Sequence, residues 1–172
     1  MGKYNLQKIL YVFSSLNELG RVITSNGSVD EITRSALHLI LGTVSSSQGT
    51  IFHYEPSSFS MENIVQRGLD GAVRLSFPLA EGDLNTLLLA PQVFDVGQGP
   101  ESLQAFTSRH RDHLEAAQAA LLAPLRGGDE LVGLLTVGKR FSGGEYSEED
   151  LQILSMMSQQ LSVVLYNQQL FL

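Results

Sequence analysis

The densest set of groups able to do chemistry is His110-Arg111-Asp112-His113, which sets two imidazoles three residues apart. On a helix that spacing puts both rings on one face, where they could seat a metal if a third ligand, such as Glu115 or a distant carboxylate, converged on them. Arg109, Arg111, Asp112 and Glu115 crowd around them, so the run reads first as a solvated polar face, and no metal is expected. His53, between Phe52 and Tyr54, is placed to face either a ligand cavity or the packed side of a sheet, and a hydrogen-bonded structural histidine is the plainer reading. Serines are plentiful, but none stands in G-x-S-x-G, so no nucleophile–base pair can be read. Gly97-Gln98-Gly99 lacks the third glycine and the βαβ surroundings of a dinucleotide-binding loop, and reads as a turn.

Gly127-Gly128-Asp129-Glu130-Leu131 has the lettering of the diguanylate cyclases. That chemistry also needs an upstream strand carboxylate to share Mg²⁺ and a lysine for the phosphates, and no Asp/Phe/Asn cluster of that kind precedes it. A hairpin turn is the reading that remains. The chain has no cysteine, which excludes disulfides, thiolate metal sites, a cysteine nucleophile and thioether-linked chromophores. With no catalytic set legible, the protein is expected not to be an enzyme, and no residue pattern names a cofactor.

The elements that must position these groups fit one compact domain of 172 residues. A hydrophobic content of 43% against 17% charged residues is that of an ordered globular chain. A net charge of −7 with only 11 Lys+Arg argues against nucleic acid or an anionic membrane as partner, since both need a basic face. No apolar stretch reaches the ~18 residues of a membrane span and no secretion signal opens the chain, so a cytoplasmic location is expected.

Leu6, Ile9, Phe13, Leu16 and Ile23 follow spacings of three and four, with Gly20 the only interruption, and predict an amphipathic helix over residues 1–27. Ser28 with Glu31 forms a capping box that opens a second helix. Two short β-rich runs follow, Thr50–Glu55 and Met61–Gly68, then an extended segment with apolar Val73, Leu75, Phe77 and Leu79, held to an edge by Pro78. Asp83–Leu89 predicts a short helix, Gln92–Val96 a strand, and Glu101–Gln118 one polar helix. Leu121–Leu125 and Leu131–Gly138 form a hairpin whose second strand, apolar on both faces, belongs in the sheet centre. Ser147 with Asp150 caps a last helix whose Leu154, Met157, Leu161 and Val164 repeat the three-four spacing up to the final residue.

This order of elements, with Ala123–Leu161 as its closest part, resembles a GAF domain over roughly Ser28 to Tyr166. In the cyclic-nucleotide-binding members an Asn-Lys pair is followed by Phe, three residues and Asp-Glu. Here Gly138-Lys139 is followed by Tyr146, three residues and Asp150-Leu151, so Lys139, Tyr146 and Asp150 match and the Asn and Glu do not. The physical reading of the three is structural, with Lys139 pairing Asp150 in the first helical turn. A PAS-type sensor is the nearest alternative, disfavoured because two helices precede the first strand.

The resemblance implies an α+β fold, a central antiparallel sheet of five to six strands with the N- and C-terminal helices on one face and a ligand pocket on the other. It implies a pocket lined from Phe52, Phe77, Phe94, Phe106, His110 and Leu125. Bilin-carrying members and the free methionine sulfoxide reductases of the family both use Cys, which this chain lacks. The expected function is small-molecule sensing in residues 28–172, relayed in a homodimer through Leu6, Ile9, Phe13 and Leu16 of the first helix and Leu154, Met157, Leu161 and Val164 of the last. The uncapped end at Leu172 points to an output domain beyond it. A ligand-free dimerisation module is the alternative.

Overall fold

The computed structural model describes residues 3–25, 27–69 and 75–170, with only the helical backbone given for 3–6, 8, 9, 12 and 168–170. Leu6 and Ile9 therefore lie outside the described side chains. The chain opens with two helices, α1 (Lys3–Ile23) and α2 (Val29–Val44). The predicted cap of α2 forms, with the Glu31 N–H donating to Ser28 Oγ at 3.2 Å, while Asp30 and Glu31 lie at the positive end of the helix dipole. Ser45 in the left-handed region (φ 62°) ends it.

The strands are β1 (Gly49–Glu55), β2 (Ser60–Arg67), β3 (Phe77–Pro78), β4 (Phe94–Asp95), β5 (Leu121–Gly127) and β6 (Glu130–Val137). They form one six-stranded sheet in the order β3-β2-β1-β6-β5-β4, every pair antiparallel. β6 lies inside the sheet between β1 and β5, as its two apolar faces require. Pro78, which cannot donate to a ladder, sits on the edge strand β3.

The helices between strands are α3 (Asp83–Leu89), α4 (Glu101–Arg109) and α5 (Arg111–Ala116), and α6 (Glu148–Leu170) closes the chain. The single helix expected over Glu101–Gln118 is thus two. The chain breaks at His110 (φ −105°, ψ 23°), whose side chain is turned inward to a partner on α3. Ser147 and Asp150 cap α6 reciprocally, the Asp150 N–H donating to Ser147 Oγ at 3.1 Å and the Ser147 N–H to Asp150 Oδ2 at 3.0 Å.

Strand alternation sends side chains to two cores. On one face Ile51, Leu121, Ala123, Leu125, Val132, Leu135 and Val137 meet α1, α2 and α6 through Leu19, Leu37, Ile40, Leu154, Met157 and Leu161. On the other, Phe52, Met61, Phe77, Phe94, Leu122 and Leu134 meet α3, α4 and α5 through Leu87, Leu103, Phe106 and Leu114. At the β5–β6 hairpin the two glycines have structural reasons. A Cβ on Gly127 would lie 2.4 Å from the Tyr166 ring of α6, and Gly128 takes φ +61° at the turn.

Candidate functional site

The second core differs from the first in holding a carboxylate. Asp83 opens α3 after Gly82 and is 1% exposed. Its Oδ2 accepts the Ala80 N–H at 2.6 Å and lies 2.7 Å from His110 Nε2, and its Oδ1 accepts from Arg109 Nη1. A carboxylate can only accept, so the imidazole donates to it from Nε2. Adjacent residues Arg109 and His110 reach the same carboxylate from the α4–α5 break, which is what that break achieves. Taking these groups from water costs several kcal/mol per ion, offset here because every carboxylate oxygen is hydrogen-bonded.

Aromatic rings wall the cluster. The His110 ring lies 5.0 Å from Phe77 and 4.9 Å from Phe106, His113 stacks on Phe77 at 5.2 Å with an interplanar angle of 21°, and Phe52 meets Phe77 edge-on. Asp83 and His110 are enclosed, while Arg109 is 43% exposed and His113 half-buried, so the site reaches solvent along the Arg109–His113 side. The two imidazoles do not converge on a common point. His110 Nε2 is turned to Asp83 and His113 lies flat on Phe77. Beside this site a cleft of about 380 Å³ runs between Val96-Gly97 and the Gln104, Thr107 and Arg111 side of α4–α5.

Of the six lining residues expected, Phe52, Phe77, Phe94, Phe106 and His110 share this face. Leu125 does not. It has the parity of Leu121 and Ala123 on β5 and packs under the helices, whereas Leu122 is the β5 residue on the site's side. Asp83, the anchor of the cluster, was not singled out from sequence. Its signal was an acidic residue set between Gly82 and Leu84 at the start of the predicted short helix, four residues after the apolar alternation ends at Leu79.

The Lys139–Asp150 pair does not form. Asp150 uses its carboxylate to cap α6, and the Tyr146 hydroxyl instead donates to Gly138 O at 2.5 Å, tying the loop to β6. Burial raises the Tyr146 pKa. His53 Nε2 lies 3.4 Å from Glu55 Oε2 at the sheet surface. The helix stripes also separate. Leu154, Met157, Leu161 and Val164 are buried in the domain's own core, so they are not free to meet a second copy. On α1, Leu16 packs against that core, while Phe13 is 62% exposed.

The GAF domain family model matches residues 28–165. The phycocyanobilin-bound GAF domain of a cyanobacterial phytochrome is 20% identical and superposes with a TM-score of 0.68, covering 92% of this chain and 96% of that one. Residues 122 to 287 of a methyl-accepting chemotaxis protein are 17% identical, with a TM-score of 0.65 over 91% of this chain and 98% of that one. The A. aeolicus nlh2 GAF domain in an inactive state is 18% identical, with a TM-score of 0.64 over 94% and 99%. No curated protein matches the chain. GAF domains are sensory domains of phytochromes, chemotaxis proteins and other signalling proteins. Among the described residues, no helix is long and apolar enough to cross a membrane. The match runs from the cap of α2 to the last buried turn of α6, over the sheet that the solved relatives share, and the chain belongs to the GAF domain family.

Proposed function

We propose that this chain is a cytoplasmic regulatory domain that senses a small molecule at the Asp83–His110–Arg109 cluster and relays its binding through the terminal helices of a homodimer to an output partner. The observation that carries this reading is the cluster itself. Well-packed apolar groups in place of a buried ionic set are often as stable or more so, so a core that only had to be filled has no need of it. Arg109 and His113 at the solvent side offer donors to an anionic or hydrogen-bond-accepting ligand. In this reading the domain acts by binding rather than catalysis, since Asp83 and His110, its acid and its base, are both enclosed away from solvent.

Thermal unfolding against cyclic nucleotides, haem, 2-oxo acids and amino acids tests this. A ligand present at a hundred times its Kd adds about 2.7 kcal/mol of stability. A compound that raises the Tm of the wild type but not of Arg109→Gln supports the reading, and an equal rise in both places the binding elsewhere. A reaction on a nucleotide or peptide that vanished in His110→Ala would overturn the non-catalytic part.

The dimer surface in this reading lies on the outward faces of α1 and α6. Leu10 and Phe13 are exposed on α1, as are Met156 and Val163 on α6, and Leu151 to Leu172 contain no Asp, Glu, Lys, Arg or His. A solvated helix face normally carries charge, and its absence suits a face that is covered. Light scattering of Val163→Lys should give a monomer where the wild type gives a dimer. A wild-type monomer at high micromolar concentration would contradict the proposal.

The second reading is a ligand-free interaction module. The near-complete burial of Phe52, Phe77 and Phe106 against one another favours it. It predicts that no compound shifts the Tm while the dimer persists.

A further inference from the structure

The two ends of α3 are each held by side chains from elsewhere in the fold. At its start Asp83 bonds Ala80, Arg109 and His110. At its end the last carbonyls accept from one guanidinium, Arg126 Nη1 donating to Leu88 O and to Ala90 O, each at 2.8 Å. Arg126 Nη2 donates to Gln92 Oε1 at 3.2 Å. The Gln92 amide in turn donates from Nε2 to Pro124 O and to Ser158 Oγ, both at 3.1 Å. Ser158 is fully buried on α6, and its hydroxyl donates to Ser155 O at 2.9 Å. Every member from Arg126 to Ser155 donates in the same direction, so the bonds polarise one another along the run.

Among the described residues Arg126 has no carboxylate partner. Its charge faces the negative end of α3, as the charge of Asp83 faces the positive end. A helix of seven residues is too short to stand alone. α3 is therefore placed by its two ends and by Leu87, which is buried in the second core. It is a strut about 10 Å long. Moving Asp83 displaces the Leu88 and Ala90 carbonyls, and these cannot leave Arg126 without stranding partly buried donors.

We propose that α3 is a lever by which a change at the Asp83 carboxylate reaches α6, through Arg126, Gln92 and Ser158. This rests on the reading of the cluster as the sensing site and gives that site its route of regulation. None of the residues that join α3 to α6 belongs to the site itself.

Amide hydrogen exchange of the whole chain, without ligand, tests the lever. Asp83→Asn keeps the side-chain shape and removes the charge that holds Arg109 and His110. Exchange of α6 amides 155–162, normalised to β6 amides that report global opening, should rise at least about five-fold. In a Ser158→Ala background the same substitution should loosen α3 and leave α6 unchanged. Arg109→Gln, at a half-exposed side chain, gives the same readout if Asp83→Asn does not fold. The lever is overturned if neither variant moves α6, or if the rise is equally large with Ser158→Ala, because the coupling would then run through the apolar core. No ligand enters this experiment, so its failure leaves the sensing reading standing. A ligand found to bind elsewhere would remove that reading and leave the mechanical link intact.

Discussion

On the helix side of the sheet Leu37, Ile40, Ile51, Leu135, Met157 and Leu161 meet as aliphatic and thioether side chains. On the other side Phe52, Phe77 and Phe106 surround a carboxylate that carries an arginine and a histidine. The first arrangement is non-directional. Its stability scales with apolar area removed from water, and it tolerates small shifts of one helix over the sheet. The second is directional, because a displacement of one partner leaves a buried charge without its bond. One sheet thus carries a non-directional core on one face and a directional polar cluster on the other.

The contrast can be broken most severely from the helix side. Leu161→Ala removes a fully buried side chain between α6 and the sheet and should cost about 3 kcal/mol in a denaturant titration, with the distal cluster unaffected. Asp83→Ala should cost about 2 kcal/mol, most of it from stranding His110, since Arg109 can turn to water. Replacing Asp83 by Leu and His110 by Phe together should restore stability to within about 1 kcal/mol of the wild type, and a much larger loss would show that the cluster is there for stability. Gly127→Ala forces the Tyr166 ring aside and should cost about 1–2 kcal/mol, whereas Asp129→Asn and Glu130→Gln should each stay within about 0.5 kcal/mol. The glycines of that lettering are structural and its acids are solvated.

The smallest effect concerns the loop before α6. Burial raises the Tyr146 phenol above its ordinary value of 10.0. With the folded pKa above the unfolded one, the stability it contributes is complete below pH 10 and is lost as pH climbs through the raised value. Tyr146→Phe should therefore flatten the alkaline decline in Tm above pH 10 while lowering the unfolding free energy at neutral pH by only about 1 kcal/mol.

The helix-side face was legible because periodicity reports burial directly. The caps at Ser28 and Ser147, the α6 stripe and the central place of β6 all follow from local chemistry or spacing. The same periodicity was silent on what does the burying, and the stripe of α6 proved to face its own sheet. The outward residues Met156 and Val163 fall on the opposite side of that helix and drew no notice beside the stronger stripe. The distal cluster was half legible. The aromatic residues declared themselves, but Asp83 and the pair Arg109-His110 are 26 and 27 residues apart, and no local rule joins them. Leu125 was assigned to the wrong face because the parity of a strand shows only once one of its residues is anchored.

The proposed role of the polar cluster is ligand binding. Isothermal titration of any ligand that raises the Tm, against the wild type and His110→Phe, tests it most directly, because Phe keeps the ring contacts with Phe77 and Phe106 and removes the bond to Asp83. A loss of affinity of about tenfold or more, equivalent to about 1.4 kcal/mol, is the predicted result. An unchanged Kd in His110→Phe would contradict it.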